Sequence, residues 1–275
     1  SYAFDSRYFL DAAYRRDGPD AAAREAVAMV ENENTIILDT STAHRTEAGW
    51  AYGYPELSAA HREAIRTGKR IAVPGCYATG FITTAYALTA GGILPKDYPV
   101  SAFAVSGYSG GGKKMIAQYQ AQDKEKELSS ARLYALSQSH KHLKEMKAIS
   151  GLERTPLFSP MVTDYYSGMT VSLTFYADML NGRQTPETVR EYLAKHYAGE
   201  KFITVQPLGA EAESGGVLFS SARSGWDGLE IYVTGNEDRI MVTTRFDNLG
   251  KGASGAAIQC MNIVLGCEED KGLTV

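Results

Sequence analysis

The fold turns on residues 69–92, KRIAVPGCYATGFITTAYALTAGG. The first part, KRIAVPG (69–75), reads as a strand that Pro74-Gly75 brings to a stop. The second, YATGFITTAYALTAGG (77–92), sets Phe81, Ala85 and Leu88 on one face and predicts a helix. Cys76 stands at the junction. The same alternation continues on both sides. PDAAAREAVAMVE (19–31) predicts a helix with Ala23, Val27 and Val30 on its apolar face, and TIILD (35–39) a buried strand. A loop then runs to a short helix near 57–66. Downstream, PVSAFAV (99–105) is a strand entering the glycine-rich SGYSGGGKK (106–114), and a helix begins at Lys114. Strand and helix in alternation are the α/β signature.

The second half is patterned differently. RTPLFSPMV (154–162), GMTVSLTFYA (168–177), FITVQ (202–206), LEIYVTG (229–235) and RIMVTTRF (239–246) read as strands, the last two joined as a hairpin by Asn236-Glu237-Asp238. TPETVREYLAKHYAG (185–199) is a helix with Thr185 as N-cap, Pro186 at its first position and Gly199 at its end. GASGAAIQCMNIVLG (252–266) is a final helix with Ile258, Met261 and Leu265 on one face. Strands returning by hairpins predict a mainly antiparallel sheet with helices on one side.

Composition narrows the function classes. The 275 residues make one large domain or two modest ones. Lys and Arg number 28 against 32 Asp and Glu, a net charge of −4, and no basic tract occurs. That argues against a nucleic-acid footprint or an anionic membrane surface. At 44% hydrophobic the chain is globular in composition. The three cysteines, Cys76, Cys260 and Cys267, cannot all pair with one another and show no zinc spacing, so no metal is expected and reduced thiols in the cytoplasm fit. The opening SYAFDSRYFLDAAYRRDG lacks the apolar segment of a signal peptide, and no stretch of about 18 apolar residues predicts a membrane span.

Five segments could carry chemistry. Cys76 opens a helix, where the partial positive charge favours a thiolate and lowers a cysteine pKa. The same residue could be a small buried filler. Ser106–Lys114 offers exposed N–H groups and lysines, a phosphate cradle or simply a tight turn. It matches GxxxxGK, but Lys114 stands where a magnesium-holding Ser or Thr belongs. SHKHLKEM (139–146) holds His140 and His142, two of only five histidines, either as general acid/base or as a solvated basic loop. Arg45 follows a strand end and suits an anion contact or a loop cap. Asn248 and Lys251 precede the last helix.

Together VPGCYATG, SGYSGGGKK, DTSTAHR, HKHLKEM and DNLGKGASGAAIQ resemble, in order, the motifs of the type 2 N-acetyl-γ-glutamyl-phosphate reductases, and more broadly the aspartate-semialdehyde dehydrogenases. The likeness runs from about Asp20 to the C-terminus. Val73 replaces the family's usual Asn before Pro-Gly-Cys, and Lys144 its usual Pro. The resemblance implies a Rossmann-type dinucleotide domain (1–75 and 250–275, truncated) with an inserted catalytic and dimerisation domain (76–249). It implies reduction of an acyl phosphate by NADPH through a thioester on Cys76, with His142 moving protons, in a cytoplasmic homodimer or homotetramer of arginine biosynthesis. By the same resemblance Arg45, Ser109, Lys113, Lys141 and Glu145 contact substrate, and Ser41, Gly110 and Asn248 the cofactor. The loops after the strands ending near 39, 75 and 105 are expected to converge at one phosphate site, as loops of one parallel sheet do. No GxGxxG stands before Asp39, and the strand expected ahead of the first helix is missing, so residues are expected to be lost ahead of Ser1 or around Arg16–Gly18. Rival readings are a semialdehyde dehydrogenase acting on another acyl phosphate, a P-loop phosphotransferase, and a cofactor-deficient, non-enzymatic relative.

Overall fold

The computed structural model describes residues 19–30 and 35–275. The stretch around Arg16–Gly18 lies outside the described residues. The elements, in chain order, are α1 (Pro19–Ala28), β1 (Ile37–Asp39), β2 (Ala51–Tyr52), α2 (Ala59–Thr67), β3 (Arg70–Ala72), α3 (Cys76–Ala90), β4 (Ser101–Gly107), α4 (Gly112–Gln120) and β5 (Arg132–Leu133). There follow α5 (Leu143–Ser150), β6 (Leu157–Thr163), β7 (Met169–Tyr176), α6 (Pro186–His196), β8 (Ile203–Val205), β9 (Leu229–Gly235), β10 (Arg239–Phe246) and α7 (Gly255–Val264).

Two sheets organise these elements. β1, β3 and β2 form a parallel three-stranded sheet in that order. A seven-stranded sheet runs β5-β6-β4-β7-β10-β9-β8. Four of its six neighbouring pairs are antiparallel; β4 with β6 and β8 with β9 are parallel. The second half is therefore mainly antiparallel, as its hairpins predict. β4 belongs to this sheet and not to the one holding β1 and β3, so the single parallel sheet expected to bring the three loops together is corrected; the loops after β1, β3 and β4 nonetheless meet at one cavity. What joins the sheets is α3, whose first residue follows β3 and whose body packs on β7 and β10.

The sequence of α3 explains that position. It carries no charged residue over fifteen positions and is buried nearly all round. A helix apolar on every side belongs inside. Gly80 lets it lie close to the sheet: a Cβ there would stand 2.6 Å from Thr244 Oγ1 and 2.7 Å from Val171 Cγ2. The main core gathers Phe81, Ile82 and Leu88 of α3 with Phe158, Val171, Leu173, Val242 and Phe246 from the large sheet. A separate cluster joins Ile65 and Ile71 to Cys260 of α7, with Leu38 and Ile263 packed against it. The C-terminal helix thus returns to the small sheet. Ends are set by local chemistry: Thr185 and Thr188 form a capping box at α6, Thr185 Oγ1 accepting from the Thr188 N–H at 3.3 Å and Thr188 Oγ1 from the Thr185 N–H at 2.9 Å.

Candidate active site

A cavity of about 590 Å³ opens between the two sheets, lined by Cys76, His140, Lys141, His142, Ser109 and Asn248 among others. Cys76 is the first residue of α3, and the cap before it, Gly75, offers no side chain to the free helical N–H groups. Half-buried Cys76 feels two opposed effects. The Tyr77 N–H and the nearby charges of Lys141 and Arg45 favour its thiolate, while burial disfavours it more, pushing the thiol up to about 11. The expectation of a lowered pKa is corrected: desolvation outweighs the Tyr77 N–H and the two cations.

His142 stands directly before α5 and is only 4% exposed. Its ring is 6.1 Å from Tyr77 and 4.7 Å from His140 between centroids. A Cβ on Gly75 would lie 2.6 Å from both His142 Cε1 and Arg45 Nη1, so imidazole and guanidinium pack against the loop that leads into Cys76. Burial first, then the charge of Arg45, holds the His142 pKa well below the usual histidine range. His140 falls to about 4, again mainly through burial, then through Lys141. Both imidazoles rest neutral at neutral pH. His140 Nδ1 accepts the His142 N–H at 3.2 Å, and its ring packs edge-on to Tyr77 and Phe158. His140 supports its neighbour.

Arg45 lines the cavity, yet its guanidinium is committed to the chain. Nε donates to the Val73 carbonyl at 2.8 Å, Nη2 to the Thr40 carbonyl at 2.9 Å and Nη1 to Glu145 at 2.6 Å. Glu145, 2% exposed, also accepts from the Tyr52 hydroxyl at 3.1 Å and from the Gly75 N–H at 3.3 Å. Burial raises the Glu145 carboxyl and Arg45 pulls it back. Arg45 and Glu145 therefore form a buried clamp across the Cys76 loop, and Glu145 does not line the cavity.

Asn248 bridges two loops: its Oδ1 accepts the Gly168 N–H at 2.9 Å and its Nδ2 donates to Ser109 Oγ at 2.9 Å. One amide hydrogen and the Ser109 hydroxyl hydrogen remain available to a ligand. Gly110 lies on the cavity wall beside them. Besides Glu145, two expected residues are not brought there. Lys113 is exposed on the first turn of α4 and does not line the cavity. Ser41 closes a local turn, donating to Asp39 at 2.8 Å and accepting from the Ala43 N–H at 3.1 Å. The cavity also uses residues that sequence reasoning passed over. Tyr134 and Met115 line it with no motif to mark them. Gly252, in a π-helical turn at Gly250–Ser254, lies where a Cβ would be 2.9 Å from Cys76 Cβ. Its signal was the glycine spacing in DNLGKGASG.

The family model for the semialdehyde dehydrogenase dimerisation domain matches residues 76–248. N-acetyl-gamma-glutamyl-phosphate reductase 2 of Nostoc sp. PCC 7120 is 41% identical over 263 residues, covering 93% of this chain and 82% of that protein. N-acetyl-gamma-glutamyl-phosphate reductase of Brucella ovis is 43% identical over 252 residues, covering 90% and 81%. Aspartate semialdehyde dehydrogenase II from Vibrio cholerae superposes with a TM-score of 0.64 at 15% identity, over 94% of this chain and 77% of that one. The aspartate semialdehyde dehydrogenase of Francisella tularensis gives the same TM-score, 0.64, at 14% identity, over 84% and 74%. The chain has the aspartate semialdehyde dehydrogenase fold and belongs to the N-acetyl-γ-glutamyl-phosphate reductase family.

Proposed function

We propose that the chain reduces N-acetyl-γ-glutamyl phosphate to N-acetylglutamate semialdehyde through a thioester on Cys76. The observation that carries this is the pairing, at one cavity wall, of the Cys76 thiol at a helix N-terminus with a buried neutral imidazole packed on the preceding glycine. A raised thiol pKa and a lowered imidazole pKa fit proton transfer during attack, not a resident ion pair. As the Cys76–carbonyl bond forms, the thiol proton passes to His142. The acyl–oxygen bond then breaks and phosphate departs with its electron pair. NADPH, when bound, supplies the hydride that reduces the thioester carbonyl. His142 protonates the resulting oxyanion. It then takes the same proton back as the carbon–sulfur bond breaks, the electron pair goes to sulfur and the aldehyde leaves, and the proton returns to the Cys76 sulfur. The N–H groups at the start of α3 are suited to holding the oxyanion.

The described residues fit the nicotinamide half of the cofactor. Gly110 leaves open space where a Cβ would stand 3.3 Å from Ser106 Oγ, and Asn248 keeps a free amide hydrogen beside it. Asn248 and Gly110 would hold that half. Two further elements belong to the proposal. The dinucleotide part comprises 1–75 with 250–275, and the catalytic part 76–249, a division supported by the cluster of Ile65, Ile71 and Cys260, while Tyr52, Tyr54 and Leu57 pack into the main core across it. Self-association uses the face of the large sheet turned away from α3, where Phe103, Leu157 and Tyr176 are 39%, 60% and 60% exposed.

The test is Cys76→Ser. Reduction should be lost, while Cys260→Ser and Cys267→Ser stay active. Acid quenching of wild type with acyl phosphate and no NADPH should add one N-acetylglutamyl group to the Cys76 peptide. Wild-type turnover in Cys76→Ser would refute the covalent route.

A further inference from the structure

The substrate proposed above is a polyanion, and the cavity has few charges to meet it. Arg45 is spent on two carbonyls and on Glu145, which cancels its charge. Lys113 stands outside the wall. Lys141 differs from both. It lies between His140 and His142, lines the cavity and is exposed. Among the described residues no carboxylate lies within ion-pair distance of it. Its charge nonetheless acts on the reacting groups, stabilising the Cys76 thiolate and discouraging protonation of both imidazoles.

We infer that Lys141 is the phosphate-recognising residue of the site, its ammonium receiving the phosphate dianion that departs from the Cys76-bound carbonyl. The inference rests on the reading of Cys76 as acyl acceptor. Proximity selects the phosphate over the substrate's own carboxylate. The phosphate oxygen is bonded to the carbon that Cys76 attacks, whereas the carboxylate stands at the far end of the side chain. When the acyl–oxygen bond breaks, the electron pair goes to the phosphate oxygen. Lys141 meets the growing charge with its own and with one donated hydrogen bond, and no proton is transferred.

The test uses the full chain and inorganic phosphate as probe. Alkylation of Cys76 is followed by peptide mass, with iodoacetate (an anion) and with iodoacetamide (neutral). In wild type, phosphate should slow both reactions. In Lys141→Met that protection should disappear, and the iodoacetate-to-iodoacetamide rate ratio should fall several-fold. Lys141→Arg should keep both effects. Lys144→Met, a 73% exposed lysine outside the cavity, should behave as wild type. In the aldehyde-oxidising direction Lys141→Met should raise KM for phosphate about 10- to 100-fold, as expected for one lost charge-assisted hydrogen bond, and leave KM for the aldehyde alone. Undiminished phosphate protection in Lys141→Met, or a KM change that falls on the aldehyde, overturns the inference. Full turnover by an enzyme alkylated at Cys76 would refute the covalent reading instead, leaving the phosphate-protection result to judge Lys141 on its own.

Discussion

Gly75→Ala isolates the packing of the nucleophile's loop. The backbone at residue 75 sits at φ −77° and ψ 150°, open to any residue, so strain does not enter. The added Cβ would lie 2.6 Å from Arg45 Nη1 and from His142 Cε1, where ordinary contact begins at 3.4 Å. Each neighbour must retreat by the difference, about 0.8 Å, if the loop holds still. Arg45 is fixed by its three hydrogen bonds and His142 is walled by Tyr77 and His140. The overpacking should cost about 1–3 kcal/mol. For a chain of this size that lowers Tm by roughly 2–4 °C per kcal/mol. Misplacing a catalytic group by about 1 Å costs about 100-fold in rate, so kcat should fall by roughly that factor with KM much less affected. NADPH oxidation at saturating acyl phosphate gives kcat, and a thermal melt gives Tm. Wild-type kcat together with an unchanged Tm would show that the loop yields freely and that the His142–Gly75 packing is incidental.

His142→Asn should lower kcat by roughly 10²–10⁴-fold, the range for a lost general acid/base, and His140→Asn should cost less; the reverse order in steady-state kinetics would exchange their roles. Arg45→Ala strands Glu145 in a buried site and should cost about 3–5 kcal/mol in urea unfolding, with Arg45→Ala/Glu145→Gln recovering part of it. KM for the acyl phosphate should move little, and a large KM rise without a stability loss would return Arg45 to substrate binding. Stability should fall on both sides of neutrality. The histidine pKa values are lowered in the fold, so below the ordinary histidine value the unfolded chain takes protons that His140 and His142 refuse, and stability declines toward about 4. The Cys76 thiol is raised, so its contribution is lost as pH climbs toward about 11. A Tm that stays flat from pH 7 to pH 4.5 would contradict the buried histidines.

Periodicity and turn chemistry carried far in the second half: the hairpin forms over Leu229–Gly235 and Arg239–Phe246 as the alternation predicts, and Thr185 caps α6. Cys76 was legible because Pro-Gly punctuation marks where α3 begins. β2 and β5, two residues each, are too short for any pattern to register. Helix α5 was hidden by Lys144, Glu145 and Lys147, which mimic a solvated loop, although Leu143 and Met146 are buried beneath them. Charge type alone did not tell where Arg45 and Lys113 would stand. An arginine past a strand end looks the same whether it meets a ligand or a glutamate a hundred positions away. The sign of the Cys76 shift was not legible either, because the helix dipole is local and desolvation depends on chain from the other end of the molecule.

That distance has a consequence for the making of the protein. Bonds beside the cavity join residues 45 to 145 and 109 to 248, and the buried Lys251–Glu56 pair joins 56 to 251. Such separations give a high contact order and slow assembly. On a growing chain Cys76 emerges long before Gly252, whose π-turn packs against it. Through that interval the thiol has neither wall nor buried surroundings, and it ionises near the ordinary cysteine pKa of about 8.5, not near 11. Oxidation follows thiolate character and exposure. Cys76 is therefore most open to damage as a nascent segment, and docking of the Gly250–Ser254 turn is what quiets it.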